Sequence, residues 1–455
     1  MHLKGQNVMV IGAARSGLAS AEFLAGRGAV VYLNDIKNRE SFARENLDAL
    51  ERKGVKLMFG VHPDIKALNI DVVVLSPGVP MSVGPVEAAK ASGIKVISEM
   101  ELAFGFCKAP IVAITGTNGK TTTTALIGQI FSDAGRNVFV GGNIGTPFIS
   151  RAAELAPDDV AVLEASSFQL EATENFKPRV ALVLNLTPDH IDRHGSFEGY
   201  IEAKAKIYAN QDKLDWLILN WDDEETKKLG ADAPSRVIYF SRRHILKEGF
   251  CIENGFLTVK MDGVTTTIIR PKDIFIKGGH NLENALAAAA AGWLMGVDAD
   301  SLKMSLQQFP GVEHRLEHVL THRGVEYIND SKGTNPDASI KALEAYDRPV
   351  VLIAGGKSKG SDFLPFAKKI KEKVKALVLV GQAADEIEAA VKEAGFTGYV
   401  RAKTFEEAVE MAGSLAAEGE IVLLSPACAS FDMFSNYEER GEIFKELVHK
   451  LAQRG

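Results

Sequence analysis

Gly116-Thr-Asn-Gly-Lys-Thr121 carries the clearest chemistry in the chain. Its glycines let backbone N–H groups approach an anion. Lys120 brings a mobile cation, and the Thr121 hydroxyl is a hard oxygen donor for Mg²⁺. The apolar run Ile111-Val-Ala-Ile114 precedes the loop, and an apolar-periodic segment with Ala125, Leu126 and Ile130 follows it. Strand, glycine loop and helix N-terminus in that order make an anion cradle. Gly116, Thr117, Asn118, Gly119, Lys120, Thr121 and Thr122 are therefore candidates for holding the phosphates of a nucleotide, expected to be ATP. The fit to the general P-loop spacing is incomplete, because Ile114 stands where the first glycine would be. A βα turn that merely contains lysine is the plain alternative, and Gly-Lys-Thr directly after a strand favours the nucleotide.

Further candidates follow this loop. Gly141-Gly-Asn-Ile-Gly145 reads as a flexible turn with one ligand-suited amide, Asn143. The strand Val160-Ala-Val-Leu163 ends on Glu164, and an acid at a strand end beside a phosphate loop commonly holds Mg²⁺. Val180 to Leu184 leads into Asn185-Leu-Thr-Pro-Asp-His-Ile-Asp-Arg-His194. His190 in this stretch is either a metal or substrate contact or a loop histidine bonded to backbone. Lys204, on a helix from about Phe197 to Ala209, reads from spacing alone as a solvated lysine. Asn281 and Asn284 share a face of a helix's first turn, where amides can read an adenine edge; helix capping by Asn281 is equally compatible. Arg315 follows the Phe309-Pro-Gly311 break, a hinge signal, and suits a phosphate or acyl-phosphate contact.

These groups need α/β scaffolding, and the sequence supplies three such segments. At the start, Val8 to Ile11, Gly12-Ala-Ala-Arg-Ser-Gly17 and Val30 to Asn34 with Asp35 read as a Rossmann-like unit. Ala14 replaces the glycine that lets a dinucleotide pyrophosphate approach, which disfavours NAD or FAD. Arg15, Ser16 and Gly17 could still meet a phosphate, and Asp71 to Leu75 ends in the turn Ser76-Pro-Gly-Val79. Near the end, strands at Val325 to Ile328, Val350 to Ala354, Ala376 to Val380 and Ile421 to Leu424 read as a second Rossmann-like domain. Its strand-end loops are Asn329-Asp-Ser-Lys-Gly-Thr-Asn-Pro336, Gly355-Gly-Lys-Ser-Lys-Gly360 and Ser425-Pro-Ala-Cys-Ala-Ser-Phe-Asp432, suited to a small anion. Cys428 has no neighbouring base and makes a poor nucleophile candidate. The expectation is an α/β protein of three domains: a Rossmann-like domain over 1–98, a central P-loop-type mononucleotide-binding ATPase domain over 99–311, and a Rossmann-like domain over 312–455.

Bulk properties set limits. A chain of 455 residues, 46% hydrophobic and 24% charged, has the composition of a soluble globular protein of several domains. A net charge of −7 argues against nucleic acid or an anionic membrane as partner. Cys107, Cys251 and Cys428 are far apart without metal-ligand spacing, as expected in a reducing cytoplasm. Neither a signal peptide nor a membrane span is read.

Taken in order, Gly116 to Thr121, Glu164 in Glu-Ala-Ser-Ser-Phe-Gln-Leu170, Asn185 to His190, His280-Asn-x-x-Asn284 and His314-Arg315 resemble the Mur ligases of peptidoglycan precursor synthesis over nearly the whole chain. Asn329-Asp-Ser-Lys-x-Thr-Asn335, and Ser425 to Ser430 with Asp432 and Phe434, resemble the member that adds D-glutamate to UDP-N-acetylmuramoyl-L-alanine. The resemblance implies that Arg15, Ser16, Asp35, Ile36, Lys37, Ser76 and Gly78 face the uridine nucleotide, with Asn143 and His190 on the muramoyl-alanine part. It implies Lys120 and Thr121 on ATP phosphates and Mg²⁺, Glu164 and His190 at the metals, and Asn281, Asn284, Arg315 and Asp330 around the rest of ATP. Lys332 is implied near the reacting groups. Lys204 matches a family lysine that carries a carbamate, an anion that binds Mg²⁺, so two ions are expected. Thr334, Lys359, Ser430 and Tyr437 are implied around D-glutamate; Tyr437 stands where phenylalanine is common, and Lys357 competes with Lys359.

The implied chemistry is ATP-driven amide formation through an acyl phosphate by a monomer. Rotation near residues 311–314 would close the site. His190 and Asp330 are alternatives for taking the amine proton. The rivals are an L-alanine-adding or folylpolyglutamate synthase-like ligase, a nicotinamide oxidoreductase, and a nucleotide-gated binding protein. The Asp-Asn-Pro-Arg sequence associated with diamino-acid addition is absent.

Overall fold

A computed structural model describes residues 3–358 and 360–453, with the Asp192 side chain excepted. The chain divides into two compact units, Met1–Asp273 with Glu283–Gln307, and Ile274–Leu282 with Gln308–Gly455.

The first unit holds two sheets. One has five parallel strands in the order Lys56–Phe59, Val30–Asp35, Asn7–Ile11, Val72–Leu75, Lys95–Ser98. Chain order reverses between Asn7–Ile11 and Val72–Leu75, so their carboxyl ends flank the crevice where open α/β sheets take ligands. Lys56–Phe59 and Lys95–Ser98 escaped the sequence reading because they are only four residues long, each opening on a lysine.

The other sheet has nine strands. Its parallel core runs Trp216–Asn220, Val180–Val183, Ile111–Thr115, Val160–Glu164, Val138–Gly142. Ile111 to Ile114 are at most 3% exposed, as expected of a strand covered by helices on both faces. Beyond Arg236–Ser241, the strands Gly249–Glu253, Phe256–Met261 and Val264–Ile269 form antiparallel hairpins, turning at Asn254-Gly255 and Asp262-Gly263 as the sequence predicts. Gly141 and Gly142 belong to the strand Val138–Gly142, which corrects their reading as a flexible turn. A Cβ on Gly142 would lie 2.4 Å from the Glu164 carbonyl oxygen, so glycine is there for close approach between strands.

The second unit carries a six-stranded sheet in the order Glu317–His322, Val325–Asn329, Ile421–Leu424, Val350–Ala354, Val374–Leu379, Tyr399–Arg401. Only the first pair is antiparallel. The helix Tyr437–Gln453 buries Phe444 and Val448 in the core on one face of this sheet. No helix among the described residues is long and apolar enough to cross a membrane.

Candidate functional site

Strand Ile111–Thr115 delivers the glycine loop to the start of helix Lys120–Asp133. Gly119 is left-handed at φ +84°, and a Cβ there would lie 2.3 Å from Asn284 Oδ1. Only glycine meets both demands. Lys120 Nζ donates to the carbonyls of Gly116 at 2.9 Å and Thr117 at 2.8 Å. Asn185 braces the loop, accepting from Asn118 N at 2.8 Å and donating to Asn118 O at 3.0 Å. Thr117 Oγ1 donates to Thr187 O at 3.1 Å. Thr122 is buried in the first helical turn, and Thr123 Oγ1 donates to Asn284 Oδ1 at 3.2 Å.

Glu164 pairs in register with Ile114, so its carboxylate lies alongside the loop. One oxygen accepts from Thr121 Oγ1 at 2.8 Å and the other from Asn143 Nδ2 at 3.1 Å. A hydroxyl, a carboxylate and an amide are hard oxygen donors of the type Mg²⁺ takes, and helix N–H groups beside them suit phosphate, so these residues fit MgATP.

Lys204 corrects its solvated reading: it is 2% exposed. Its Nζ donates to Gly116 O at 2.9 Å and Thr115 Oγ1 at 3.2 Å and lies 4.7 Å from the Tyr200 ring centre. Burial, with Lys120 nearby, pushes this amine well below the usual lysine range. His190 is left-handed at φ +51° and stands edge-on to Phe168 at 4.8 Å, with Nε2 3.6 Å from Asp189.

The crevice of the five-stranded sheet opens into a cavity of about 200 Å³ whose lining includes Arg15, Ser16, Ser76, Gly78, Asn143 and Gln169. Ser76 Oγ donates to Gly12 O at 2.7 Å, and Arg15 Nη1 to Gly145 O at 3.3 Å. The Asp35 carboxylate accepts from Ala13 N at 2.8 Å and Lys37 N at 2.9 Å, which fixes the strand end between exposed Ile36 and the glycine turn. Gln169 was not singled out from sequence. It is fully buried, Ser166 N and Oγ donate to its Oε1, and its Nε2 has no hydrogen-bond partner among the described residues. A buried donor without an acceptor at a cavity wall is a ligand contact in waiting. The sequence signal was its place in Glu164 to Leu170.

In the second unit, Arg315 Nη1 meets Asp330 Oδ1 at 3.3 Å, and Ser425 Oγ donates to Asp330 Oδ2 at 2.7 Å. Asp330 is fully buried; desolvation raises its carboxyl above the usual range despite Arg315. Lys332 Nζ stands 5.2 Å from the Tyr437 ring centre, and Ser430 is buried. Thr334 N donates to Lys332 O at 2.9 Å. Lys357 pairs through its backbone with Ala429, whereas Lys359 lies outside the described residues. Asn281 Nδ2 donates to Lys277 O at 2.8 Å from inside the first helical turn, so Asn281 is not the cap. Cys428 is 1% exposed, which suits packing rather than nucleophilic attack.

A parallel α/β sheet with a Gly-Lys-Thr loop and a carboxylate on the adjoining strand defines a mononucleotide-binding, nucleotide-using class of protein. Three family models match in succession: the Mur ligase MurD-like N-terminal domain over residues 6–98, the Mur ligase middle domain over 114–292, and the Mur ligase glutamate ligase domain over 314–428. The UDP-N-acetylmuramoylalanine–D-glutamate ligase of Pelotomaculum thermopropionicum is 52% identical, with 98% of each chain covered. Its namesake in Alkaliphilus metalliredigens is 46% identical over the whole of both chains. The chain belongs to the Mur ligase family. In fold it is similar to a pseudomurein peptide ligase type C from Methanothermus fervidus, with a TM-score of 0.61 at 21% identity, covering 98% of this chain and 100% of that one.

Proposed function

We propose that this chain is an ATP-dependent ligase that adds D-glutamate to UDP-N-acetylmuramoyl-L-alanine, releasing ADP and phosphate, in peptidoglycan precursor synthesis. The observation that carries the ATP chemistry is the Thr121–Glu164 pair at the mouth of the glycine loop. The substrate pair rests on full-length relatives that bear that name.

A carboxylate oxygen is a poor leaving group, so the alanyl carboxylate must first be activated. It attacks the γ-phosphorus of ATP, ADP leaves, and an acyl phosphate forms. The amine of D-glutamate then attacks the acyl carbon, loses a proton, and displaces phosphate. Lys120 and Arg315 neutralise and orient the phosphates, and bound Mg²⁺ offsets the charge on them. Thr121 and Glu164 serve the metal, directly or through water, with His190 and a carbamate on Lys204 serving a second ion. Burial lowers the Lys204 amine well below its usual range and so favours its neutral, nucleophilic form, which supports carbamate formation there.

Gly116 to Thr122, Asn281, Asn284 and Asp330 hold the nucleotide. Arg15, Ser16, Asp35, Ile36, Lys37, Ser76 and Gly78 serve the uridine diphosphate, and Asn143, His190 and Gln169 the muramoyl-alanine. Thr334, Lys359, Ser430 and Tyr437 surround D-glutamate, with Lys332 beside the reacting groups. The reading includes domains over 1–98, 99–311 and 312–455 and a monomeric, cytoplasmic enzyme. The test is to label the alanyl carboxylate with heavy oxygen. Label in the released phosphate supports the acyl phosphate, and unlabelled phosphate contradicts it.

A further inference from the structure

Arg440 is among the largest fully buried side chains in the protein, at 1% exposure on the first turn of helix Tyr437–Gln453. Its Nε donates to Ser331 Oγ at 2.9 Å and its Nη2 to Ser331 O at 2.7 Å. Nη1 and Nη2 both reach Cys428 O, at 3.2 and 3.3 Å. Every acceptor is neutral, and among the described residues no carboxylate forms an ion pair with the guanidinium. Asp432 and Asp330 act on the guanidinium only through space and do not offset the cost of its burial, so this residue is a poor choice for stability alone.

The atoms it grips explain the placement. Ser331 precedes Lys332, and Ser331 Oγ in turn donates to Tyr437 O at 2.8 Å. Cys428 lies two residues before Ser430, in a loop where Ala427 is left-handed at φ +59°. Lys332, Ser430 and Tyr437 thus hang from one planar, rigid fork. Gly356 closes the arrangement, because a Cβ there would meet Ala429 O at 2.3 Å and Arg440 Nη1 at 3.3 Å.

We propose that Arg440 is the positioning residue of the amino-acid pocket, tying the loops of Lys332, Ser430 and Tyr437 into one surface and lending it positive charge that favours an acidic amino acid. The inference rests on the reading that these loops hold D-glutamate. Lysine keeps the charge but cannot bridge both loops as a fork does.

Arg440→Met, Arg440→Lys and Ser331→Ala are to be compared with the wild type for the KM of each substrate, kcat and melting temperature. Arg440→Met is expected to raise the KM for D-glutamate by roughly tenfold or more, as loss of charge-assisted hydrogen bonds does. The KM for ATP and for the UDP substrate should stay within about twofold. Arg440→Lys should recover part of the loss, and Ser331→Ala should move the same constant in the same direction. If Arg440→Met does not fold, the other two variants decide. Three KM values rising together, or a glutamate KM unmoved in every folded variant, overturns the proposal. Should the wild type prefer another amino acid, the substrate reading fails, and Arg440 is judged on the KM for that amino acid. Phosphate release with no amino acid tried overturns both.

Discussion

Thr121 Oγ1 donates to Glu164 Oε2 at 2.8 Å, joining the helix that follows the glycine loop to the end of the neighbouring strand. A hydroxyl and a carboxylate at that spacing offer Mg²⁺ two hard oxygens on rigid elements. Glu164→Gln should keep the fold, raise the Mg²⁺ concentration needed for activity, and lower kcat by about a hundredfold or more. Thr121→Ser, which keeps the hydroxyl, should lose far less than Thr121→Ala. Mg²⁺ titrations of phosphate release check both, and an unchanged Mg²⁺ requirement in Glu164→Gln would count against the metal role.

Lys204 gives a signature in which stability and activity part. Its folded-state pKa is depressed, so its contribution to stability is full above the unfolded lysine value and is lost as pH falls through the folded value. Near neutral pH the buried amine is therefore a burden. Lys204→Met should melt no lower than the wild type while activity drops about a hundredfold or more. Native mass spectrometry in bicarbonate should show one carbon dioxide added to the wild type and none to the variant. Lower stability with intact activity is the contrary result.

Gln169 lines the cavity with Arg15 and Ser16, and its buried Nε2 has no hydrogen-bond partner among the described residues. Gln169→Glu keeps shape and the Ser166 acceptor but removes the donor. It should raise the KM for the UDP substrate by roughly tenfold, with the KM for ATP little changed. Steady-state kinetics with each substrate varied in turn distinguishes this from a general loss.

Glu99 is 1% exposed, accepts from Ile149 N at 2.7 Å through Oε1, and has an Oε2 without a partner among the described residues. Burial pushes its carboxyl up to about 7. Its contribution to stability is thus full below the unfolded value and is lost as pH rises through about 7. Glu99→Gln should gain on the wild type by roughly 2 kcal/mol between pH 5.5 and 8.5, most of it below pH 7. Urea unfolding across that range checks it, and a pH-independent difference would refute it.

The phosphate loop, Glu164 and the strands around them were legible because apolar runs ending in Gly, Lys, Thr or Glu state both element and chemistry locally. Lys204 was legible only through the family resemblance and not from its spacing, since its burial comes from packing against Thr115 and Gly116, some 88 residues away in sequence. Gln169 and Arg440 were missed for the same reason: what distinguishes them is a buried donor without a partner among the described residues and a buried guanidinium held by neutral acceptors, properties of the packed molecule. Gly141 and Gly142 misled because glycine favours turns, whereas here close strand approach requires it.

The most direct measurement is phosphate release from ATP with Mg²⁺ and UDP-N-acetylmuramoyl-L-alanine across D-glutamate, L-glutamate, L-alanine and a diamino acid, with product masses. Release that depends on D-glutamate, with a mass gain of one glutamyl residue, is expected. Release driven by a different amino acid, or by none, would contradict the proposed function.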